Sequence, residues 1–219
     1  MSTNKKNAAT VGALFLIAMV ASLVGGGMVE SVISAPEPFA AVSENETLLV
    51  AGVLLELVNA IAVIGIGVLM FTVLKRQNET QAVGYLSLRI VEAVFCSLIV
   101  VSPLSLIRLG QNQPQASAAL SIAERASISG LLVPVFFSLG ALLLYFSLYQ
   151  SKLLPRFIPI WGLVAAVLIL TLNLLSAFGL ELGMGISMVF ALPIILNEIF
   201  MGIWLIVKGF NPSAVNATA

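Results

Sequence analysis

Six long apolar stretches constrain this chain more than any other feature. A helix crosses the hydrocarbon core of a bilayer with roughly 20 mostly apolar residues. Stretches of that kind lie at about 9–29, 47–74, 81–107, 127–149, 158–179 and 186–207. None shows the charged face at helical period that marks an amphipathic helix of a soluble bundle. Composition agrees: 60% of the 219 residues are hydrophobic and 9% are charged, against about 45–50% and about 25% in soluble domains. Too little polar surface is left to keep such a chain in water, so lipid is its solvent and membrane lipids are its first partners. The expected fold is an all-α, polytopic transmembrane bundle of six spans. Residues 1–219 read as a single membrane-embedded domain.

The absences are also informative. The sequence has no His, no Asp and one Cys, Cys96. Zinc sites built on His are excluded, as are Ser–His and Cys–His nucleophile pairs. A single Cys forms no intrachain disulfide and says nothing about redox compartment. No metal site and no cofactor are expected. The formal net charge is zero and no basic stripe is interleaved with aromatics, so nucleic acid is not an expected partner.

Charge placement gives an orientation. Lys5 and Lys6 precede the first span, Lys75 and Arg76 follow the second, Lys152 and Arg156 follow the fourth, and Lys208 follows the sixth. With six spans they all fall on one side, and the positive-inside rule makes that side cytoplasmic, N-in and C-in. Tyr85, Tyr145, Tyr149, Trp161 and Trp204 lie near the same ends, where interfacial aromatics gather. Glu30, Glu37, Glu44, Glu46 and Glu181 fall on the other side, with Arg108, Glu124 and Arg125 near a boundary.

Local signals fill in the frame. Lys5 and Lys6 before an apolar run suggest a signal peptide, but the run from Val11 to Val29 is too long for one and Pro36 would follow the cut, so an uncleaved span is favoured. Two longer external loops are expected: about 30–46, with Pro36 and Pro38, and about 108–126, with Gln111, Asn112, Gln113, Pro114 and Gln115. Asn45-Glu-Thr47 fits a glycosylation acceptor, although helix capping by Asn or Thr is the better reading. Ala18, Ser22 and Gly26, and Gly162 with Ala166, form small-residue faces that let helices approach closely. Packing within the chain is their ordinary use, and homo-oligomer formation is the alternative. Pro103, Pro134 and Pro193 lie inside spans and should kink them.

Several stretches together resemble a known family. They are Ala41-Val-Ser-Glu-Asn-Glu-Thr running into Leu55-Glu-Leu-Val-Asn59-Ala, Gly84-Tyr with Leu88-Arg-Ile-Val-Glu-Ala93, Leu148-Tyr-Gln-Ser-Lys-Leu-Leu-Pro-Arg156 before Trp161-Gly, and Leu196-Asn-Glu-Ile199 before Ile203-Trp-Leu-Ile-Val-Lys-Gly-Phe-Asn-Pro212. The chain resembles the prokaryotic integral-membrane family catalogued as domain of unknown function 4386. The resemblance implies a multi-pass protein of a bacterial or archaeal cytoplasmic membrane. It implies no activity and carries over no catalytic residue.

Polar residues inside the spans mark the candidate site. An ionisable group near the bilayer centre costs about 2.5–3.5 kcal/mol on insertion scales and usually faces the bundle interior with a partner. Span two carries Glu56 and Asn59, span three Arg89 and Glu92, and span six Asn197 and Glu198. Glu56 and Asn59 share a helix face, and so do Arg89 and Glu92, with Tyr85 and Cys96 extending that face. At 1.5 Å per residue, Asn59 and Glu198 both come out roughly 18 Å from the external side. The expectation is one buried cluster joining spans two, three and six near midplane. Three Glu face one Arg there, so a proton or another cation is needed as well. Cys96 and Asn173 read as packing residues. Asn45-Glu-Thr and Asn78-Glu-Thr precede Glu56/Asn59 and Arg89/Glu92 at equal offsets, a match for which chance is favoured over an inverted repeat.

Three functions compete. A small proton-linked transporter or channel-like protein predicts a water-accessible cavity containing Glu56, Glu92 or Glu198. An intramembrane enzyme acting on a lipid or isoprenoid would use a Glu as base and Arg89 as anion-binding group; the absence of His, of Asp and of a Gly-x-Ser-x-Gly elbow weighs against it. A non-catalytic membrane subunit would use the cluster only to join helices, although interhelical hydrogen bonds in membranes average only about 0.6 kcal/mol.

Overall fold

The computed structural model describes residues 3–109, 115–180 and 182–216. Gln111, Asn112, Gln113, Pro114 and Glu181 lie outside the described residues. Among the described residues there is no strand. Six helical runs are long and apolar enough to cross a membrane: Lys5–Ile33, Glu46–Leu74, Glu79–Leu109, Gln115–Ser151, Phe157–Ala177 and Gly185–Val207. The chain is an all-α, multi-span membrane protein. Its outer surface is accordingly apolar, with Ile61 69% and Val189 67% exposed. Such side chains are stable against lipid and would not be stable against water.

The helices are α1 (Thr3–Ile33), α2 (Pro38–Glu44), α3 (Glu46–Leu74), α4 (Glu79–Leu98), α5 (Val101–Leu109), α6 (Gln115–Ser127), α7 (Val133–Ser151), α8 (Phe157–Ala177), α9 (Met184–Val207) and α10 (Pro212–Asn216). A π-helical turn, Ile128–Leu132, joins α6 to α7. Span three is therefore α4 plus α5, and span four is α6 through α7. The spans close a ring in chain order: α1 packs on α3, α3 on α4, α4 on α7, α7 on α8, α8 on α9, and α9 back on α1.

The described N- and C-terminal segments meet at one end of this ring, where a Cβ added at Gly209 would lie 3.7 Å from Ala8 Cβ and 3.9 Å from Lys5 Cγ. The backbone N–H of Asn211 donates to the Leu153 carbonyl (2.9 Å), and Gln77 Nε2 donates to the Ala214 carbonyl (3.0 Å). The segments bearing Lys75, Lys152 and Lys208 thus meet at that end. Glycines set the closest helix approaches there and along α1. A Cβ added at Gly202 would lie 3.1 Å from the Gly12 carbonyl oxygen, and one added at Gly25 would lie 2.9 Å from that of Gly52. The close approaches of α1 therefore run through Gly12 and Gly25, whereas Ser22 is exposed and Gly26 half-buried. The Gly162–Ala166 face is buried within the chain, with Gly162 against the Tyr145 ring.

The packing divides in two. One core fills the ring at the Lys/Arg-rich end, with Met70, Tyr85, Leu144, Tyr145, Ile158 and Leu205 among its buried members. A second core at the opposite end joins only α1 to α6, through Val29, Ile33, Phe39, Leu49, Leu106 and Ala118. Among the described residues from Val167 to Pro193, none is buried. The outer halves of α8 and α9 are therefore less deeply buried than their inner halves, which hold Ala165, Ala166, Ile194 and Asn197.

Several expectations are corrected. The stretch from Gln115 to Ser127 is helical rather than loop; its polar composition hides an Ala-rich sequence of high helix propensity. The loop after α1 contains the short helix α2. Tyr85 and Tyr145 do not face lipid: both are 0% exposed, inside the core at the Lys/Arg-rich end. Asn45 does not cap α3 with its side chain, which donates instead to the Ala41 carbonyl (3.0 Å). Asn78 does cap α4, accepting from Gln81 N–H (3.0 Å).

The in-span prolines act locally. Pro103 cannot donate to the carbonyl of Ile99, four residues earlier, and span three breaks at Ile99–Val100. Pro134 follows the π-helical turn, where the fourth span changes its register of hydrogen bonds. Pro193 sits inside α9, which is continuous across it.

Candidate functional site

The ring encloses a cavity of about 420 Å³. Its walls come from every span. Phe15, Ala18 and Ser22 of α1 face Asn59, Val63 and Ile66 of α3. Arg89, Glu92 and Cys96 of α4 lie beside Val133 and Phe137 of α7. Ile169 and Asn173 of α8 and Ile194 and Glu198 of α9 complete the ring. Helix direction orders these residues by depth. Phe15, Ile66, Arg89, Phe137 and Glu198 sit toward the Lys/Arg-rich end and form the floor. Ser22, Leu23, Asn173 and Ala191 sit at the rim, where Leu23 is 58% exposed and Asn173 and Ala191 are half-buried.

The floor is polar and crowded. Arg89 is 2% exposed. Its Nη1 donates to both oxygens of Glu92 (3.0 and 2.9 Å), and its Nε donates to the Tyr85 hydroxyl (2.9 Å). Three rings surround the guanidinium, from Phe15, Tyr85 and Phe137, with centroids 5.7, 5.3 and 5.7 Å away. Cation–π contacts of this kind gain strength when desolvated. The placement follows from α4 itself: Tyr85, Arg89 and Glu92 lie one turn apart on one face, and Gly67 of α3 lets α4 come close, since a Cβ there would sit 3.0 Å from Arg89 Cβ. Arg89 Nη2 is buried and, among the described residues, has no hydrogen-bond partner.

Glu198 is the second open valence. It lines the same cavity, half-buried, and is near enough to interact electrostatically with Arg89, Glu92, Tyr85 and Tyr145. Among the described residues it makes no hydrogen bond and no ion pair.

The expected cluster is thus brought together only in part. Asn59, Arg89, Glu92 and Glu198 share the cavity. Glu56 does not line it. Asn197, although fully buried, points away and donates from Nδ2 to the Ile158 carbonyl (3.0 Å), tying α9 to α8. Asn59 donates from Nδ2 to Cys96 Sγ (3.7 Å), and Asn173 donates to the Ile169 carbonyl of its own helix (2.6 Å).

Glu56 has a partner that the sequence reading placed at a boundary. Arg125 of α6 is 5% exposed, and Glu56 is 3% exposed. Arg125 Nη2 donates to Glu56 Oε1, while Nη1 donates to Oε2 (3.1 Å) and to the Ile99 carbonyl (2.6 Å). That carbonyl is the acceptor that Pro103 leaves free. The ion pair, the proline and the break in span three form one unit. The sequence signals for it were the surplus of intramembrane acids and the position of Pro103.

The family profile described as Domain of unknown function (DUF4386) matches residues 10–209. The chain belongs to this family. The match covers most of the first span, the other five spans and both buried ion pairs. No curated protein and no solved structure matches the chain. As a DUF4386 member it has its place in the membrane from its six spans, and its chemistry has to be read from the cavity.

Proposed function

We propose that this DUF4386 protein is a small proton-linked carrier of a prokaryotic cytoplasmic membrane, with Glu198 as the proton-binding group. The Lys/Arg-rich end faces the cytoplasm, as the positive-inside rule requires, and the cavity rim faces outward. One observation carries the reading: an unpaired carboxyl stands beside an already neutralised Arg–Glu pair on the floor of a cavity with an exposed rim. Taking up a proton removes the only uncompensated charge, and burying an uncompensated charge is costly. A protonatable carboxyl at that depth is what proton-coupled transport needs.

The enzyme reading has the unpartnered Nη2 of Arg89 in its favour, as an anion-binding donor. Among the described residues, however, no hydroxyl or thiol of the cavity is hydrogen-bonded to Glu92 or Glu198, so no activated nucleophile is set against it.

The test is proton flux. Vesicles containing the purified protein and a pH-sensitive dye are given inward gradients of amphiphilic cations, anions and neutral solutes in turn. The carrier reading expects at least one class to drive proton movement that Glu198→Gln abolishes and Glu198→Asp retains. Absence of solute-driven proton movement for every class, with protein that is folded and inserted, would overturn it.

A further inference from the structure

We infer that the cavity takes a lipophilic organic monocation, whose charge replaces the proton on Glu198. The inference rests on the carrier reading for its site and names what that site carries.

The argument is charge balance in a low-dielectric space. Arg89 and Glu92 cancel, because both Glu92 oxygens accept from the guanidinium. Glu198 then leaves the site neutral when protonated and at one negative charge when ionised. A monocation beside ionised Glu198 restores neutrality. An anion beside Arg89 leaves one net negative charge even when Glu198 is protonated. Each uncompensated buried charge is unfavourable by several kcal/mol, so the site selects against anions. One proton and one monocation are interchangeable occupants.

The walls decide what kind of cation. The free carboxyl of Glu198 offers two oxygens, and hard metal ions ask for about six to eight. Phe15, Val63, Ile66, Phe137, Ile194 and Ile195 supply an apolar lining that favours a hydrophobic body of drug-like size. The faces of Phe15 and Phe137 are already turned to Arg89, so recognition of charge falls to Glu198. Entry suits a membrane-soluble ion, because the outer halves of α8 and α9 are less deeply buried above the rim.

The titratable groups facing Glu198 are Arg89, Glu92 and Tyr85 of α4 and Tyr145 of α7, with the Cys96 thiol on the same wall. The cavity residues of α1, α3 and α8 add no ionisable side chain. Glu198 is therefore the one acid in the cavity free to exchange its proton for a ligand, and binding should weaken as the medium is acidified.

The matched probes are tetraphenylphosphonium and tetraphenylborate, which share shape and differ in sign. Purified full-length protein in detergent is titrated with each. Tetraphenylphosphonium is expected to bind saturably, at least about tenfold more weakly in Glu198→Gln and in acid, and nearly as in the wild type in Glu198→Asp. Tetraphenylborate is expected not to bind saturably. Saturable binding of the borate alone, or phosphonium binding indifferent to Glu198→Gln, would overturn the inference. The two readings fail separately. Glu198-dependent phosphonium binding without coupled proton flux upholds the cation site and ends the carrier reading. Glu198-dependent proton flux driven only by organic anions does the reverse.

Discussion

The protein holds two buried arginine–glutamate pairs, and they are built to different rules. Glu56 and Arg125 come from α3 and α6, 69 residues apart, and Arg125, which also borders a small pocket of about 170 Å³, donates to both Glu56 oxygens. Both carboxylate oxygens are taken, and Arg125 Nη1 also donates to the carbonyl that Pro103 frees. Arg89 and Glu92 come from one helix and lie on the wall of a cavity. That site is left open: among the described residues, Arg89 Nη2 has no partner, and Glu198 stands nearby without an ion pair. Residue type is the same in both places. Partner count makes one pair a fastener and the other part of a site.

The largest effect that would sharpen this contrast is at the closed pair. Arg125→Ala leaves the Glu56 carboxylate and the Ile99 carbonyl buried without partners, and breaking a buried pair costs about 3–5 kcal/mol. Unfolding in mixed detergent should show that loss, and adding Glu56→Gln should recover part of it. A single variant as stable as the wild type would break the comparison. Next is the tight end of the ring. Gly162→Ala pushes a methyl group into the Tyr145 ring, which overpacking places at about 1–3 kcal/mol; the same unfolding assay measures it. Asn197→Ala removes one interhelical hydrogen bond and should cost about 0.6 kcal/mol, and no more than about 1.7. Smallest in stability is Glu198→Gln. It breaks no bond in the fold and should shift stability by less than about 0.5 kcal/mol, while cation binding weakens at least about tenfold and proton flux disappears. A large destabilisation by Glu198→Gln would make Glu198 a structural residue after all.

Six spans were legible because hydrophobic length is a one-dimensional property. The cluster was legible in part for a similar reason. Arg89, Glu92 and Tyr85 share one helix face, which spacing alone reveals. Glu56 comes out only a little shallower than Glu198, and depth does not tell which way a side chain turns about its helix axis. Arg125 was misplaced because Gln115–Ser127 reads as a polar loop, and a helix there becomes apparent only from its Ala content and from Ala118 and Arg125 packing inward. Tyr85 and Tyr145 look like interfacial markers in the sequence because aromatic position along the chain is the same for a ring facing lipid and a ring facing the bundle interior. In each case the missing information is rotational or long-range, and periodicity within one span does not contain it.

The central claim is that Glu198 is the accessible acid and Glu56 the sealed one. Carbodiimide labelling tests it most directly. Dicyclohexylcarbodiimide is an apolar reagent that adds to protonated carboxyls out of water, and peptide mass spectrometry locates the adduct. The account predicts an adduct on Glu198 that tetraphenylphosphonium suppresses, with Glu56 unmodified in the folded protein. Modification of Glu56 ahead of Glu198, or labelling of Glu198 that the cation does not affect, would contradict it.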